Sequence, residues 1–520
     1  MVSTESLTRN EVLALLEQSN AKVDALATEN KLLREALASL KDEIFGRKSE
    51  RIDPNQLGLF GGSDPQAASS ESDAEPEMVT VPEHRRRKRG HGRKPFPDDL
   101  PREVVEVDLD DDEKCCPDCG ETLRQIGIDA CERGHIVPAR LVVIRYEKKK
   151  YACPAGHCVR TAEAPPGLID RCKYEPSVYA HVAVAKYQDH VPLNRAAGIL
   201  KRYGIDLPKQ TMWDMLLRAH ELFVRPILEQ MRLELLCESI LHGDETPAPV
   251  RVEGGKGITT GRVWAWHSLG AKKVVLAFTM TKERDGPVAF LGKWDGTLIA
   301  DGASNFNEVV ARNEITRAGC WAHARRKLKK ALDRGSKQAI RLLVPVQRLF
   351  RLEKSVRKRA QERDLSDSDL AHLLRRVRAR RSKKLVEKIY ELADEIAIAR
   401  STLPRSIFGK AVSYIANQRG PLAAFLDDTR LPIHNNDCER TLRHVVIGRK
   451  NWLVFGSPRG GMVACDFYSL MLSCRAIGLD PEAYLADALT RINSTPVQDI
   501  ASLTPWAWAQ AHPKAVADPR

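Results

Sequence analysis

At 520 residues the chain is too long for one hydrophobic core, and its 43% hydrophobic content can fill several, so three or more folded units are expected. No apolar run reaches membrane-spanning length, and Met1–Asn10 lacks a signal-peptide layout, which argues against a membrane protein and makes the cytoplasm the expected location. Lys and Arg exceed Asp and Glu by 82 to 69, a net charge of +13, which favours a polyanionic partner such as nucleic acid.

Residues 10–46 carry a heptad, with Leu16, Val23, Leu37 and Ile44 at a positions and Val12, Leu26, Leu33 and Leu40 at d. Ser19 at d and Asn30 at a interrupt the seam, and a buried Asn is tolerated when it pairs with its copy in a parallel dimer. A coiled coil that self-associates is the expectation; an amphipathic helix packed on its own chain is the alternative. Residues 47–84 are rich in Gly, Ser, Pro, Asp and Glu, too poor in apolar surface to offset ordering entropy, and read as a linker.

A basic arm follows over 85–103, where Arg85, Arg86, Arg87, Lys88, Arg89, Arg93 and Lys94 surround glycines. Such an arm suits DNA phosphates or a minor groove, and a solvated charge run would look the same. Twelve cysteines in a reducing compartment are examined first as metal ligands. Over 104–165, Cys116 and Cys119 form a tight knuckle, and Cys153 and Cys158 form a second pair. β-branched and aromatic residues predict strands over Ile136–Val143 and Arg145–Tyr151 that bring the pairs together as a zinc ribbon with a structural Zn2+. Four residues separate the second pair, so His157 or Cys115 is an alternative ligand.

Residues 170–232 read as helices. One opens at Pro192-Leu193, Gly204 stops it, and Pro208 suits the first position of the next, which carries Trp213. Helix, glycine turn and helix is a helix-turn-helix layout, shared with any helical hairpin.

From Leu241 an apolar approach runs into Gly243-Asp244-Glu245-Thr246, followed by strand-like segments Arg262–Leu269 and Lys273–Thr279. Thr297–Ala300 is a short apolar strand that closes on Asp301, and Ile315–Cys320 can supply another. A third acid, Glu439, stands at the start of a predicted helix after His434-Asn435-Asn436. Acids at the ends of buried strands are costly unless a cation shares the site, although a strand-end Asp is also a common turn residue. A few carboxylates can hold two divalent ions, which serve phosphodiester cleavage, and oxygen ligands favour Mg2+ or Mn2+.

These motifs, with Cys320-Trp321-Ala322-His323-Ala324-Arg325-Arg326, Asn435-Asn436-Asp437-Cys438-Glu439-Arg440 and Ile447-Gly448-Arg449-Lys450-Asn451-Trp452, resemble transposases of the insertion sequence 66 family, from Phe45 to about Leu485. The resemblance implies that Asp244, Asp301 and Glu439 are the DDE catalytic triad of an RNase H-like domain and its Mg2+ ligands. It also implies double-stranded DNA partners, both element ends and target, and makes accessory proteins encoded by the same element plausible. The family's ribbon normally ends in a pair spaced by two residues, so the wider spacing here bears on the choice of zinc ligands.

The catalytic domain is expected in two parts, 235–322 and 431–490, split by a basic helical insertion over 323–430 and followed by a tail over 491–520. The expected class is therefore multidomain α/β, an RNase H-like domain preceded by coiled coil, zinc ribbon and helix-turn-helix-like module. Arg440, Arg443, Arg449 and Lys450 flank Glu439 and suit phosphate positioning, with surface salt bridges as the alternative. Cys320 and His323 have ligand-like spacing, but one pair cannot close a zinc site, and they read as structural or DNA-facing. Gly456–Gly461 is a loop rather than a phosphate cradle, since no Lys-Ser or Lys-Thr follows. The rival readings are a non-catalytic DNA-binding regulator derived from a transposase, against which three intact acids argue, and a nuclease that hydrolyses without joining.

Purified protein should carry about one zinc per chain, lost on replacing Cys116 and Cys119 with serine. Metal analysis that finds the folded wild-type chain free of zinc would remove the ribbon.

Overall fold

The computed structural model describes residues 16–30, 33–34, 37, 142–152, 159–162, 167–169, 173–252, 257–270, 272–280, 285–399 and 402–515. They all fall in one compact unit, Met1–Gly46 with Leu141–Arg520; a second unit, Arg47–Arg140, lies outside the described residues. The basic arm, with Arg85, Arg86, Arg87, Arg93 and Lys94, and the cysteines Cys116, Cys119, Cys153 and Cys158 are therefore not described. No described helix is long and apolar enough to cross a membrane.

Residues 16–30 are helical, and the heptad residues Leu16, Val23 and Leu26 are exposed along them, the state of a seam seen in a single chain. Strand β1 (Lys150–Ala152) pairs antiparallel with β2 (Val159–Thr161), Tyr151 opposite Arg160. The sequence placed strands earlier, at 136–143 and 145–151; residues 142–149 are not strand, so the described hairpin begins only at the end of the second expected segment.

Helices α1 (Pro176–Tyr187), α2 (Leu193–Arg202), α3 (Lys209–Ala219) and α4 (Arg225–Leu236) form the helical module. Gly204, at φ +85°, reverses the chain between α2 and α3, a conformation that Cβ-bearing residues avoid. Pro208 is the cap residue just before α3 rather than its first helical position.

The sheet holds β3 (Ile240–Arg251), β4 (Ile258–Ser268), β5 (Val274–Thr279), β6 (Thr297–Ile299) and β7 (Thr316–Ala318), in the order β5-β4-β3-β6-β7. The first three strands are antiparallel, and β6 and β7 add in parallel. Short helices α5 (Asp285–Leu291) and α6 (Asn307–Arg312) lie between strands. Alternation decides what each strand faces: Leu241 and Leu298 join one apolar cluster, Ile240 and Ile299 the other.

Strand β3 runs well past Asp244, where the apolar approach ends in acids. Pairing with β6 stops at His242, while pairing with β4 continues to Arg251. Beyond His242 the side that β6 would occupy takes other partners: the Pro247 carbonyl accepts from the Arg449 guanidinium, and the Pro249 carbonyl accepts from Phe455 N–H at 2.9 Å. A proline lacking N–H is tolerated on such a side.

The insertion comprises α7 (Trp321–Asp333), α8 (Ala339–Glu362), α9 (Asp367–Val377), α10 (Lys383–Ile398), α11 (Ile407–Asn417) and the short α12 (Arg419–Ala423). The chain returns through α13 (Asn436–Trp452), against β3 and β4, and α14 (Pro458–Ala476), against β5. Beyond these, α15 (Pro481–Arg491) and α16 (Pro505–Ala511) continue the fold, and Leu503 and Trp508 are buried, so the stretch expected as a tail contributes to the core.

Not every residue in the basic run of the insertion is a solvated or DNA-facing cation. Arg378 is 0% exposed; it donates to Glu353 Oε1 and Oε2, both at 2.8 Å, and to the carbonyls of Phe425, Asp428 and Leu431. Glu353→Ala should cost about 3–5 kcal/mol by stranding that guanidinium, and the Glu353→Leu/Arg378→Met double replacement should recover most of it. Denaturant midpoints at unchanged m-value measure both, and a loss below about 1 kcal/mol would show the pair to be dispensable.

Candidate active site

Sheet register brings the first two acids together. His242 pairs with Ile299 across the parallel β3 and β6, and Asp244 and Asp301 each lie two residues further on. Two residues along a strand restore the same face, so the acids share the side of Ile240 and Ile299. Each carboxylate is locally oriented: Asp244 Oδ1 accepts from Glu245 N–H at 2.8 Å, and Asp301 Oδ1 accepts from Ala303 N–H at 2.9 Å. The Asp301 loop is clamped by Arg317, which donates to the carbonyls of Asp301 and Ala303 and to Asn307 Oδ1. Gly302 follows because Tyr414 leaves no room for a side chain: a Cβ there would meet the ring at 2.6 Å.

Glu439 stands in the first turn of α13. That turn is fixed by Asn435, fully buried, whose Nδ2 donates to the Gly243 carbonyl at 3.0 Å. Its Oδ1 therefore faces His242 Nδ1, 2.7 Å away, and the imidazole donates that bond. Asn435 N–H donates to Cys320 Sγ at 3.2 Å, and Trp321 N–H donates to the Ile433 carbonyl at 2.9 Å. Strand β3, helix α7 and helix α13 thus meet at one residue. Burial pushes His242 down to about 4 against the pull of the Asn435 bond, so near pH 7 the ring is neutral with its proton on Nδ1.

The acids feel one another. Burial raises the Asp244 carboxyl to about 7, and the charges of Asp301, Glu439 and Glu245 add to the rise against the Glu245 N–H bond. Glu439 Oε2 accepts from Arg326 at 2.7 Å, while its buried Oε1 has no hydrogen-bond partner. Facing it at 3.6 Å is His323 Nδ1, buried and equally unpartnered, and the ligand atoms of Cys320, His323 and Glu439 lie within 4.8 Å of one another. Burial lowers the His323 pKa against the pull of Asp301 and Glu439, and burial raises the Cys320 thiol to about 11. A carboxylate oxygen and an imidazole nitrogen without hydrogen-bond partners, beside a cysteine sulfur, are suited to a divalent cation.

The pair Cys320 and His323, read from sequence as too small to hold a metal, gains its third member here from residue 439. Of the four cations flanking Glu439 that were suggested for DNA, Arg440 pairs with Asp437 and Arg449 with the Pro247 carbonyl. Arg443 and Lys450 are exposed on α13 with no carboxylate partner among the described residues. Sequence reasoning assigned no role to Arg317, Arg326 or the Asn435 bridge. Only the Cys-x-x-His spacing offered a signal.

Comparisons with known proteins agree with these motifs. The family model described as "Transposase IS66 family" matches residues 171–463, and "IS66 C-terminal element" matches 469–506. "Zinc-finger binding domain of transposase IS66" matches 113–156, which takes in Cys116, Cys119 and Cys153 and ends before Cys158. "Transposase C of IS166 homeodomain" matches 32–105. Among full-length relatives, uncharacterized protein y4hP of Sinorhizobium fredii is 29% identical over 508 residues, covering 91% of this chain and 88% of its own. Uncharacterized protein y4jD of the same organism is 29% identical over 497 residues, covering 92% and 94%.

A carboxyl with a raised folded-state pKa favours folding while protonated and opposes it once ionised, so its penalty grows as pH rises from the ordinary Asp value towards about 7. Without divalent ions, Asp244→Asn should therefore stabilise the chain at pH 8, by on the order of a few kcal/mol, and have little effect near pH 4. Thermal melts in EDTA check this; equal melting temperatures at pH 8 would show that Asp244 carries no such penalty.

Proposed function

The chain belongs to the IS66 family of DDE transposases, with that family's zinc-finger, leucine-zipper and C-terminal regions, and from that premise we propose that it cleaves the ends of a mobile element and joins the 3′-hydroxyls to target DNA. The observation that carries the reading is the register-matched pair Asp244 and Asp301 on one face, with Glu439 close enough for its charge to raise the Asp244 carboxyl. Sheet order β5-β4-β3-β6-β7, three antiparallel strands then two parallel, supports an RNase H-like catalytic domain split by the helical insertion.

Asp244, Asp301 and Glu439 would hold divalent ions, Mg2+ or Mn2+, with His323 beside Glu439 as a further donor. When bound, such ions neutralise the phosphoryl group and activate the attacking water or hydroxyl. The chain's own contribution is placement. Paired strands fix Asp244, and Arg317 fixes the turn behind Asp301. Asn435 fixes the turn that presents Glu439, and Arg326 neutralises the acid until it is needed. Arg443 and Lys450, exposed on the helix of Glu439, would position phosphates, together with Arg440 and Arg449 once their local contacts open. Arg85, Arg86, Arg87, Arg93 and Lys94 would extend that grip along the DNA. Cys116, Cys119, Cys153 and Cys158 would close a structural zinc site, with His157 or Cys115 as substitutes, and the exposed heptad would pair two copies.

Asp244→Asn, Asp301→Asn and Glu439→Gln should each lower Mg2+-dependent cleavage and joining by on the order of a thousandfold or more while leaving element-end binding largely intact. Gel assays of cleavage, of strand transfer from pre-cut ends and of mobility shift read the three steps separately. Undiminished cleavage by all three variants would refute the assignment, and cleavage without joining from pre-cut ends would make the protein a nuclease.

A further inference from the structure

At the far end of the helix that carries Glu439 lies a cavity of about 300 Å³. Lys186 and Tyr187 from the end of α1, Trp213 from α3, Trp452 from the end of α13, and Phe455 and Ser457 from the following loop line it. Four of the ten residues that line it are aromatic, while the Lys186 ammonium sits 4.8 Å from the Trp452 ring centre and 5.4 Å from that of Tyr187. Among the described residues no carboxylate pairs with Lys186. Burial alone lowers its pKa to about 8, the mark of a cation withdrawn from water without an anion to compensate.

The backbone beside this cavity is strained. Leu453 has φ 66° and ψ −50°, and Val454 N–H donates to the Trp452 carbonyl at 2.8 Å, a γ-turn of the rare positive-φ hand. The reversal exposes Leu453 and lets Phe455 pair with β3 through Pro249 and Arg251. The two aromatic walls Trp452 and Phe455 are thereby anchored, one to α13 and the other to the sheet. Such strain persists only where the surroundings impose it.

We propose that this cavity receives one unstacked nucleotide of a DNA strand, its base against Trp213 and Trp452 and its phosphate on Lys186. Aromatic faces accept any base, and a desolvated lysine among them supplies the charge that a backbone phosphate needs. The volume is at the lower end for ligand pockets and admits one flat ring system rather than a duplex. Trp452 is thirteen residues beyond Glu439 on one helix, a separation of about 20 Å at the ordinary helical rise, equivalent to roughly six nucleotides along a strand. The pocket would therefore hold DNA at a set distance from the site of cleavage. The proposal rests on the reading of the chain as a DNA-handling enzyme, and it adds a strand-holding site separate from the acids.

The test uses the full chain and a mixed-sequence single-stranded oligonucleotide carrying 5-iododeoxyuridine, irradiated in the near ultraviolet, with the adducts located by peptide mass spectrometry. Adducts on Trp213 or Trp452 are expected. Trp213→Ala and Trp452→Ala should abolish them and weaken binding by roughly fivefold to a hundredfold, the range for loss of one stacked base. Trp452→Phe, which keeps a ring, should retain most of the affinity, and Lys186→Gln should lower the salt dependence of binding by about one phosphate contact. Adducts confined to other residues, or affinity unchanged in folded Trp213→Ala and Trp452→Ala chains, would overturn the proposal. Melting curves identify folded chains, and the adduct sites on the unaltered chain still decide the question if an alanine variant unfolds. Cleavage by Asp244→Asn tests the enzymatic reading on its own, so either idea can fail while the other stands.

Discussion

One buried carboxamide sets the geometry on which everything else depends. Asn435 donates to the carbonyl of Gly243, accepts from His242, and sends its own backbone N–H to Cys320 Sγ. In a buried setting these groups have no water to fall back on, so each contact is costly to lose. The consequence is positional: the residue before Asp244, the residue before helix α7 and the residue before helix α13 are tied at one point. Acids almost two hundred residues apart are thereby held by short-range bonds rather than by the long insertion that separates Asp301 from Glu439.

The same arrangement concentrates negative charge in a buried setting. Asp244 lies buried beside two further acids, one of which, Glu439, is paired with the Arg326 guanidinium. Arg326 is more than half exposed, so it can leave that acid for a phosphate without opening the core. His323, whose pKa burial lowers, adds a nitrogen donor opposite Glu439. The site is thus organised in advance at some expense of stability, the balance common where chemistry needs charges that folding alone would remove.

Much of this was legible in the residues themselves. β4, β5, β6 and β7 lie within or overlap the segments rich in Val, Trp, Leu and Ile, and Glu439 stands at the helix start that its preceding asparagines signalled. The full length of β3 was hidden by Pro247 and Pro249, because the carbonyls that make prolines acceptable there are satisfied by Arg449 and Phe455 from far along the chain. The hairpin of β1 and β2 begins later than its composition predicted, since β-branched content marks where a strand is possible and not where it pairs. His323 showed ligand-like spacing to Cys320, but its decisive neighbour is Glu439, and no local pattern encodes a meeting between residues that distant. The Lys186 cavity, drawn from α1, α3, α13 and the loop before α14, was invisible for the same reason.

The insertion joins the rest of the fold in a way that has its own consequence. Where the chain leaves the sheet and where it comes back, Gly319 N–H meets the Pro421 carbonyl and Trp321 N–H meets the Ile433 carbonyl. With its two ends stapled together, the intervening hundred or so residues form a closed side-branch whose length enters the rest of the fold only weakly, because the entropy of closing a loop grows slowly with its size. Its helices nevertheless share an apolar cluster with Ile240 and Ile299, so a change of length is cheapest at the exposed turn between α8 and α9, where it leaves the acids in register.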